Sequence, residues 1–442
     1  MKRLLLVIIL FYSISSFAQQ SFNMSLLGQL NYDTGVNDVW GYVDSQANEY
    51  AIVGLVNGTS FVDVSDPSNP IQKALIPGPT CVWRDIKTWN NYAYVVHDGV
   101  DSSQSQGLTI VDLTNLANGE IDYNHFYYDG EFNNAHNIYI DEKGCVYLFG
   151  GNYSTGGALM FDISQDPVNP EYLGKFEDYY LHDGMVRGDT LWGSAIWEGV
   201  VAAIDVSDKS NPSILGSALT PNTFTHNAWI SDDGNTVYTT DEVQSGSIAA
   251  VDVSDVTNMS VIDNIQSWSL ETNVIPHNTH VFGKFLVTSY YCDGVTVVDA
   301  SDPYNLQEVA YYDTSDSTGG TYSGAWGAYP WLPSGNILVT DRQEGLHVLS
   351  IDNLDFSVES MDSLLGISIY PNPSSHSFDI ELEGAHTLEV FEIDGKLIET
   401  ISSSEYKQIL SIGESWGKGT YLIKITDKEG LSIVHKLIKI NN

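Results

Sequence analysis

The sequence predicts an all-β protein: a seven-bladed β-propeller closed by its N-terminal strand, followed by a small β-sandwich. Three observations carry that prediction. A β-type apolar run ending in Asp, followed by a polar turn, recurs seven times. Between recurrences there is no helical periodicity, only short alternating strands broken by turns. The last repeat stops one strand short, and a segment near the N-terminus has the pattern of the missing strand.

The recurring runs are "TSFVDVSDPSNP", "LTIVDLTNL", "ALMFDISQDPVNP", "AAIDVSDKSNP", "AAVDVSDVTNM", "VTVVDASDPYNL" and "LHVLSIDNL". Their aspartates are Asp63, Asp112, Asp162, Asp205, Asp252, Asp299 and Asp352. A spacing of roughly 43–53 residues suits a four-stranded propeller blade better than a helical repeat. One unit shows the expected layout: "HNIYI" innermost, then "CVYLFG", "GALMFDI" and an outer "PEYLGKF". The segment "FNMSLLGQLNY" resembles "NPEYLGKF" and "NPSILGSAL", so it is expected to supply the last blade's outer strand. Joining both chain ends removes a free sheet edge.

The chain opens on "MKRLLLVIILFYSISSFAQQ", two basic residues before a short apolar run and a small-residue site. This reads as a secretory signal over residues 1–18. The run is too short to span a bilayer, and no later segment reads as transmembrane. The propeller is assigned to 20–356, a linker to 357–363 and the sandwich to 364–442. In that last region Asp394-Gly395 marks a hairpin turn, with a second expected at Asp427–Gly430. Three scattered cysteines do not make a disulfide framework. The net charge of −39 falls mainly before residue 364 and excludes nucleic acid as a partner.

The candidate site comes from a second recurrence. A His-Asn or His-Asp pair heads four consecutive inner strands: His136-Asn137, His182-Asp183, His226-Asn227 and His277-Asn278. Counting from the hairpin turns puts Arg84-Asp85 at the same place in the second blade. Trp40-Gly41 and Trp326-Gly327 fill it in the first and last. Loops on the same face carry His97-Asp98, Glu198, Asp241-Glu242, Cys292-Asp293 and Asp341-Arg342. Inner strands start close to a propeller axis, so these residues are expected to ring it.

Three readings of the ring stand side by side, one of them metal-free binding or catalysis. Neutral imidazoles are common ligands of transition metals, so His136, His182, His226 and His277 can hold one Fe, Zn or Cu ion. Asn137, Asp183, Asn227 and Asn278 would then orient them. Arg84, Asp85, Trp40, Trp326, Asp241 and Glu242 would line a substrate pocket. Alternatively the ring is a hydrogen-bond girdle pinning blade to blade. His280, three residues past His277, falls at a packing position.

Two resemblances follow from particular motifs. "YPNPSS", "IDGKLI", "KGTYLIKI" and "HKLIKI" resemble the type A C-terminal sorting domain of the Bacteroidetes type IX secretion system, over residues 364–442. That resemblance implies export by this machinery, removal of the tail, and surface attachment or release. "VWGYVD", "YAIVGLVNGTSFVDVSDP", "VWRDIK", "NAHNIYI", "THNAW" and "GAWGAYPWLPSG" resemble the LVIVD-repeat, choice-of-anchor B family, across most of residues 22–352. It implies a propeller but assigns no reaction. The functional expectation is a secreted, surface-displayed binding module for an extracellular ligand. A metal-dependent oxidative or hydrolytic enzyme and a purely structural surface protein are the alternatives.

Overall fold

The computed structural model describes residues 20–442 apart from 100–102, 129–131, 270–272, 355, 357–366, 371–373, 383, 393–395, 404–407, 429–431 and 441–442. The signal segment 1–18, the linker 357–363 and the Asp394-Gly395 turn lie outside the described residues, as do Glu429 and Gly430 of the turn expected at Asp427–Gly430. Two compact units divide the chain at Phe356.

Among the described residues the first unit holds seven antiparallel sheets. Their innermost strands are Val36–Val43, Trp83–Trp89, Asn137–Ile140, Asp183–Arg187, Thr225–Ile230, Thr279–Phe282 and Ala325–Tyr329. Each touches the innermost strand of the next sheet, and the seventh touches the first. That closed cycle makes the unit a propeller. The third strands read apolar throughout because both their faces are covered; Val201, Ala202, Ala203 and Ile204 are all fully buried. Burying a side chain such as Val201 or Ile204 contributes ~1.5–3 kcal/mol, which sets the packing force between sheets.

The recurring aspartates are turn-makers. Asp63, Asp112, Asp162, Asp205, Asp252 and Asp299 each accept a bond from the backbone N–H two residues on, at 2.7–3.0 Å. They pin the turn that leaves each third strand. Asp352 instead accepts from the hydroxyls of Ser25 and Ser350.

Closure uses both chain ends. Met24–Leu30 pairs antiparallel with Gly345–Ile351 and completes the seventh sheet. The shared "LG" of the outer strands has a steric cause. A Cβ at Gly174 would meet the Lys209 carbonyl oxygen at 1.8 Å, and one at Gly216 the Val256 oxygen at 1.8 Å. Each outer strand is therefore pressed by a turn of the following sheet. Gly28 repeats this with the Pro67 oxygen at 2.2 Å, which joins the seventh sheet to the first. Sequence reading missed one pairing: Ser21–Phe22 adds a fifth strand to the sixth sheet, against Gln307–Tyr312.

The second unit is a β-sandwich. One sheet has the order Ile367–Tyr370, Phe378–Leu382, Gln408–Ile412. The other runs Leu397–Ser402, His386–Glu392, Gly419–Asp427, Ser432–Lys439. Phe378, Ile380, Leu388, Val390, Ile423 and Leu437 fill its core.

Candidate axial binding site

In three of the strand-head pairs, at Asp85, Asp183 and Asn227, the Asn or Asp side chain stitches neighbouring sheets. Asp85 accepts from the Ile138 N–H at 2.9 Å. Asn227 donates to Asp183 at 2.9 Å and accepts from the Thr279 N–H at 3.0 Å. Asn137 and Asn278 stand beside the same axial void.

The histidines form a staircase around the axis. Ring centroids of His136 and His182 lie 4.0 Å apart, His182 and His226 4.3 Å, His226 and His277 4.6 Å. Trp326 stacks on His277 at 4.6 Å and continues the series. Burial pushes His182 and His277 well below the ordinary imidazole value, and the other ring histidines add to it. Burial lowers His226 as well, with Glu242 partly opposing it. These three rings are therefore neutral near pH 7. The His136 Nδ1 sits 3.1 Å from the Asp98 carboxylate.

Besides Asp98, the loop residue Glu242 also reaches the staircase. Its Oε2 lies 3.4 Å from His226 Nε2. Its Oε1 accepts from the Tyr291 hydroxyl at 2.5 Å, and that hydroxyl accepts from Trp326 Nε1 at 3.1 Å. Ligand atoms of His226, Glu242 and His277 all lie within 4.8 Å of one another. His136 and His182 are not members of that group, so four imidazoles around one ion is not the geometry seen.

Three other expectations need correction. Trp40 is not at the strand head. The pairing skips between Val36 and Val39, so Asn37-Asp38 fill that place and Trp40 drops to the next level. There it meets Tyr329 at 5.0 Å, Trp331 at 5.4 Å and His280 at 6.0 Å, with Lys87 Nζ over its ring at 4.3 Å. Arg84 is at the expected position, but its guanidinium is spent on the carbonyls of Leu55 and Pro79 at 3.1 and 2.8 Å. Asp241 is consumed as a loop clamp, accepting from the Thr220 hydroxyl and the N–H groups of Asn222 and Phe224. It positions Phe224 instead of meeting a ligand.

Beneath the staircase lies a buried ionic tier. Lys87 Nζ bonds Asp85 at 2.8 Å. Burial opposes the Asp85 charge, but Lys87 and Asp38 hold its carboxyl below the usual range. Burial, reinforced by Asp85, drives Asp38 well above it. Burial also pushes Asp183 up to about 6. His280 packs at this level against Trp229 and Trp331, as its sequence position predicts.

Above the staircase a cavity of about 550 Å³ opens, with His136, His182 and Glu242 in its wall. Trp83, Tyr180, Trp197, Phe224, Tyr291 and Tyr322 surround it, and Arg342 supplies a cation. Sequence reading flagged Arg342 only as a loop residue and missed Trp197 and Phe224. Trp197 had a signal, since it adjoins Glu198 in one of the loops assigned to this face.

The fold and the tail have recognisable relatives. The secretion system C-terminal sorting domain matches residues 368–441. The LVIVD repeat matches residues 47–75, 83–119 and 195–220. This chain is a β-propeller protein with LVIVD repeats and a C-terminal sorting domain. Two solved structures share the LVIVD propeller's fold. The β-propeller domain of Myceliophteria thermophila Cps50 (Swd1) is 10% identical with a TM-score of 0.51, over 74% of this chain and 99% of that one. YCF48 bound to D1 peptide is 11% identical with a TM-score of 0.50, over 77% and 98%. At such identity the likeness is one of fold. No curated protein matches the chain. The sorting domain implies handling by the type IX secretion machinery, so the LVIVD propeller is a secreted protein. Among the described residues no helix is long and apolar enough to cross a membrane.

Proposed function

We propose that the protein is a surface-displayed binding module whose ligand sits in the cavity above the histidine staircase, after the sorting tail has been removed. The observation that carries this reading is the aromatic mouth. Trp197 is 70% exposed, Tyr322 50% and Trp83 42%, all facing one cavity. Large aromatics left in water around a concavity are the usual anchors of recognition. A volume of about 550 Å³ suits a small extracellular solute or the end of a larger chain.

Some members of the ring tie sheets together: Asp85, Asp183 and Asn227 bond across them, as do His136 to Asp98 and His277 to the Trp326 carbonyl. Such bonds do not account for the exposed aromatic mouth above them.

The test is thermal stability of the protein against millimolar panels of amines, saccharides and carboxylates, beside the Trp83→Ala/Trp197→Ala double variant. The expected result is a rise in melting temperature with one chemical class, absent in the variant. No response to any class, or an equal response in the variant, would remove the cavity from consideration.

A further inference from the structure

We propose that His226, His277 and Glu242 form a binding site for one divalent transition-metal ion at the floor of the cavity. The inference deepens the binding reading, since such an ion would be a contact for the bound ligand. It rests on that reading only for the ligand's access.

The donor set has the right chemistry. Two imidazoles and one carboxylate suit borderline ions such as zinc and cobalt, and leave positions open for an exogenous group. The His226 to Glu242 separation of 3.4 Å equals the edge of a tetrahedron with bonds of about 2.1 Å. His226 and His277 are each 3% exposed and Glu242 is partly buried. A buried imidazole thus faces a carboxylate without a hydrogen bond between them, and a cation resolves that opposition.

Two of the three donors are also oriented from behind. His277 Nδ1 bonds the Trp326 carbonyl oxygen at 2.5 Å, which fixes the tautomer and leaves Nε2 free to coordinate. Glu242 is held through Oε1 by Tyr291, and Tyr291 in turn by Trp326, which leaves Oε2 toward His226. Glu242 also borders the cavity, so an ion held there is reachable from solvent.

The site differs from a ring of four histidines, and the variants separate the two. The untagged protein is incubated with Zn²⁺, dialysed, and its metal content measured; Co²⁺ substitution then reports coordination by its visible absorption. The expected result is one equivalent of zinc and a cobalt spectrum of a low-coordinate N/O site. Glu242→Gln and His277→Asn should lose stoichiometric metal, Tyr291→Phe should weaken affinity roughly 10–100-fold, and His136→Asn should keep it. A wild-type protein that dialyses metal-free, or a Glu242→Gln variant that binds zinc as tightly as wild type, overturns the site. So does loss of metal in His136→Asn with retention in Glu242→Gln. Trp83→Ala/Trp197→Ala should keep its zinc, so a failure of the ligand reading and a failure of the metal site are told apart.

Discussion

The Asn227 amide donates to the Asp183 carboxyl at 2.9 Å, across the boundary between the fourth and fifth sheets. Its oxygen simultaneously accepts from the Thr279 N–H of the sixth sheet. One side chain therefore joins three sheets, with about 2% of its surface exposed. Asn227→Ala leaves one buried carboxyl oxygen of Asp183 and a buried N–H without partners, at a cost of about 1–3 kcal/mol each. The expected loss in urea unfolding is ~2–4 kcal/mol, larger than for His226→Ala, whose ring borders the axial void. Equal losses from the two variants would mean that the histidines carry the girdle after all.

Ring closure predicts a graded response to N-terminal truncation. Deleting residues 20–32 uncovers the edge of Gly345–Ile351, a buried strand with unpaired N–H and C=O groups. The protein should aggregate and melt at a markedly lower temperature. Deleting only residues 20–22 removes the short pairing with Gln307–Tyr312 and should cost far less. Light scattering during a thermal ramp distinguishes the two; identical curves for both truncations would contradict the closure.

Glu308 predicts a pH dependence. Burial pushes its carboxyl up to about 8. In the unfolded chain a glutamate titrates near its ordinary value of about 4.3. Between these values the folded state keeps a proton that the unfolded state has released. The stability linked to Glu308 is therefore full below about pH 4 and is lost as pH rises toward about 8. Glu308→Gln should gain stability relative to wild type across that window, by an amount that grows with pH. A difference that stays constant from acid to alkaline pH would show that Glu308 titrates normally.

Export depends on the second unit. Removing residues 364–442 should leave a folded propeller that is retained in the periplasm of a host with type IX secretion. Surface labelling and fractionation decide it, and normal display of the truncated chain would deny the tail its sorting role.

Much of the fold was legible because each repeat rebuilds the same physical unit. An apolar third strand needs two covered faces, and its terminal Asp needs a turn to clamp. Both leave marks in sequence, at Asp162 as at Asp299. The closing strand was legible for the same reason, through the glycine that Pro67 presses on. The site was less so. Trp40 was misplaced because a backbone irregularity at Val36–Val39 shifts the strand against its repeat, and composition carries no trace of it. Arg84 was placed well but turns to two carbonyls that only the fold brings near. Trp197 escaped because its loop was read only for the neighbouring carboxylate Glu198, and Phe224 because it stands on a connection between two sheets, outside the recurring runs. Glu242 was singled out as a pocket residue, but its approach to His226 depends on Tyr291 arriving from the next sheet.

The Ser25 hydroxyl bonds the Asp352 carboxylate across 327 residues of chain. That clasp gives the protein a clock. The strand Met24–Leu30 has no partner until the last repeat exists, so no amount of early folding can finish the ring. Closing a loop of this length is entropically expensive and kinetically late. Until then the strand Gly345–Ile351 keeps a raw edge. The ring locks only once both of its ends share one compartment.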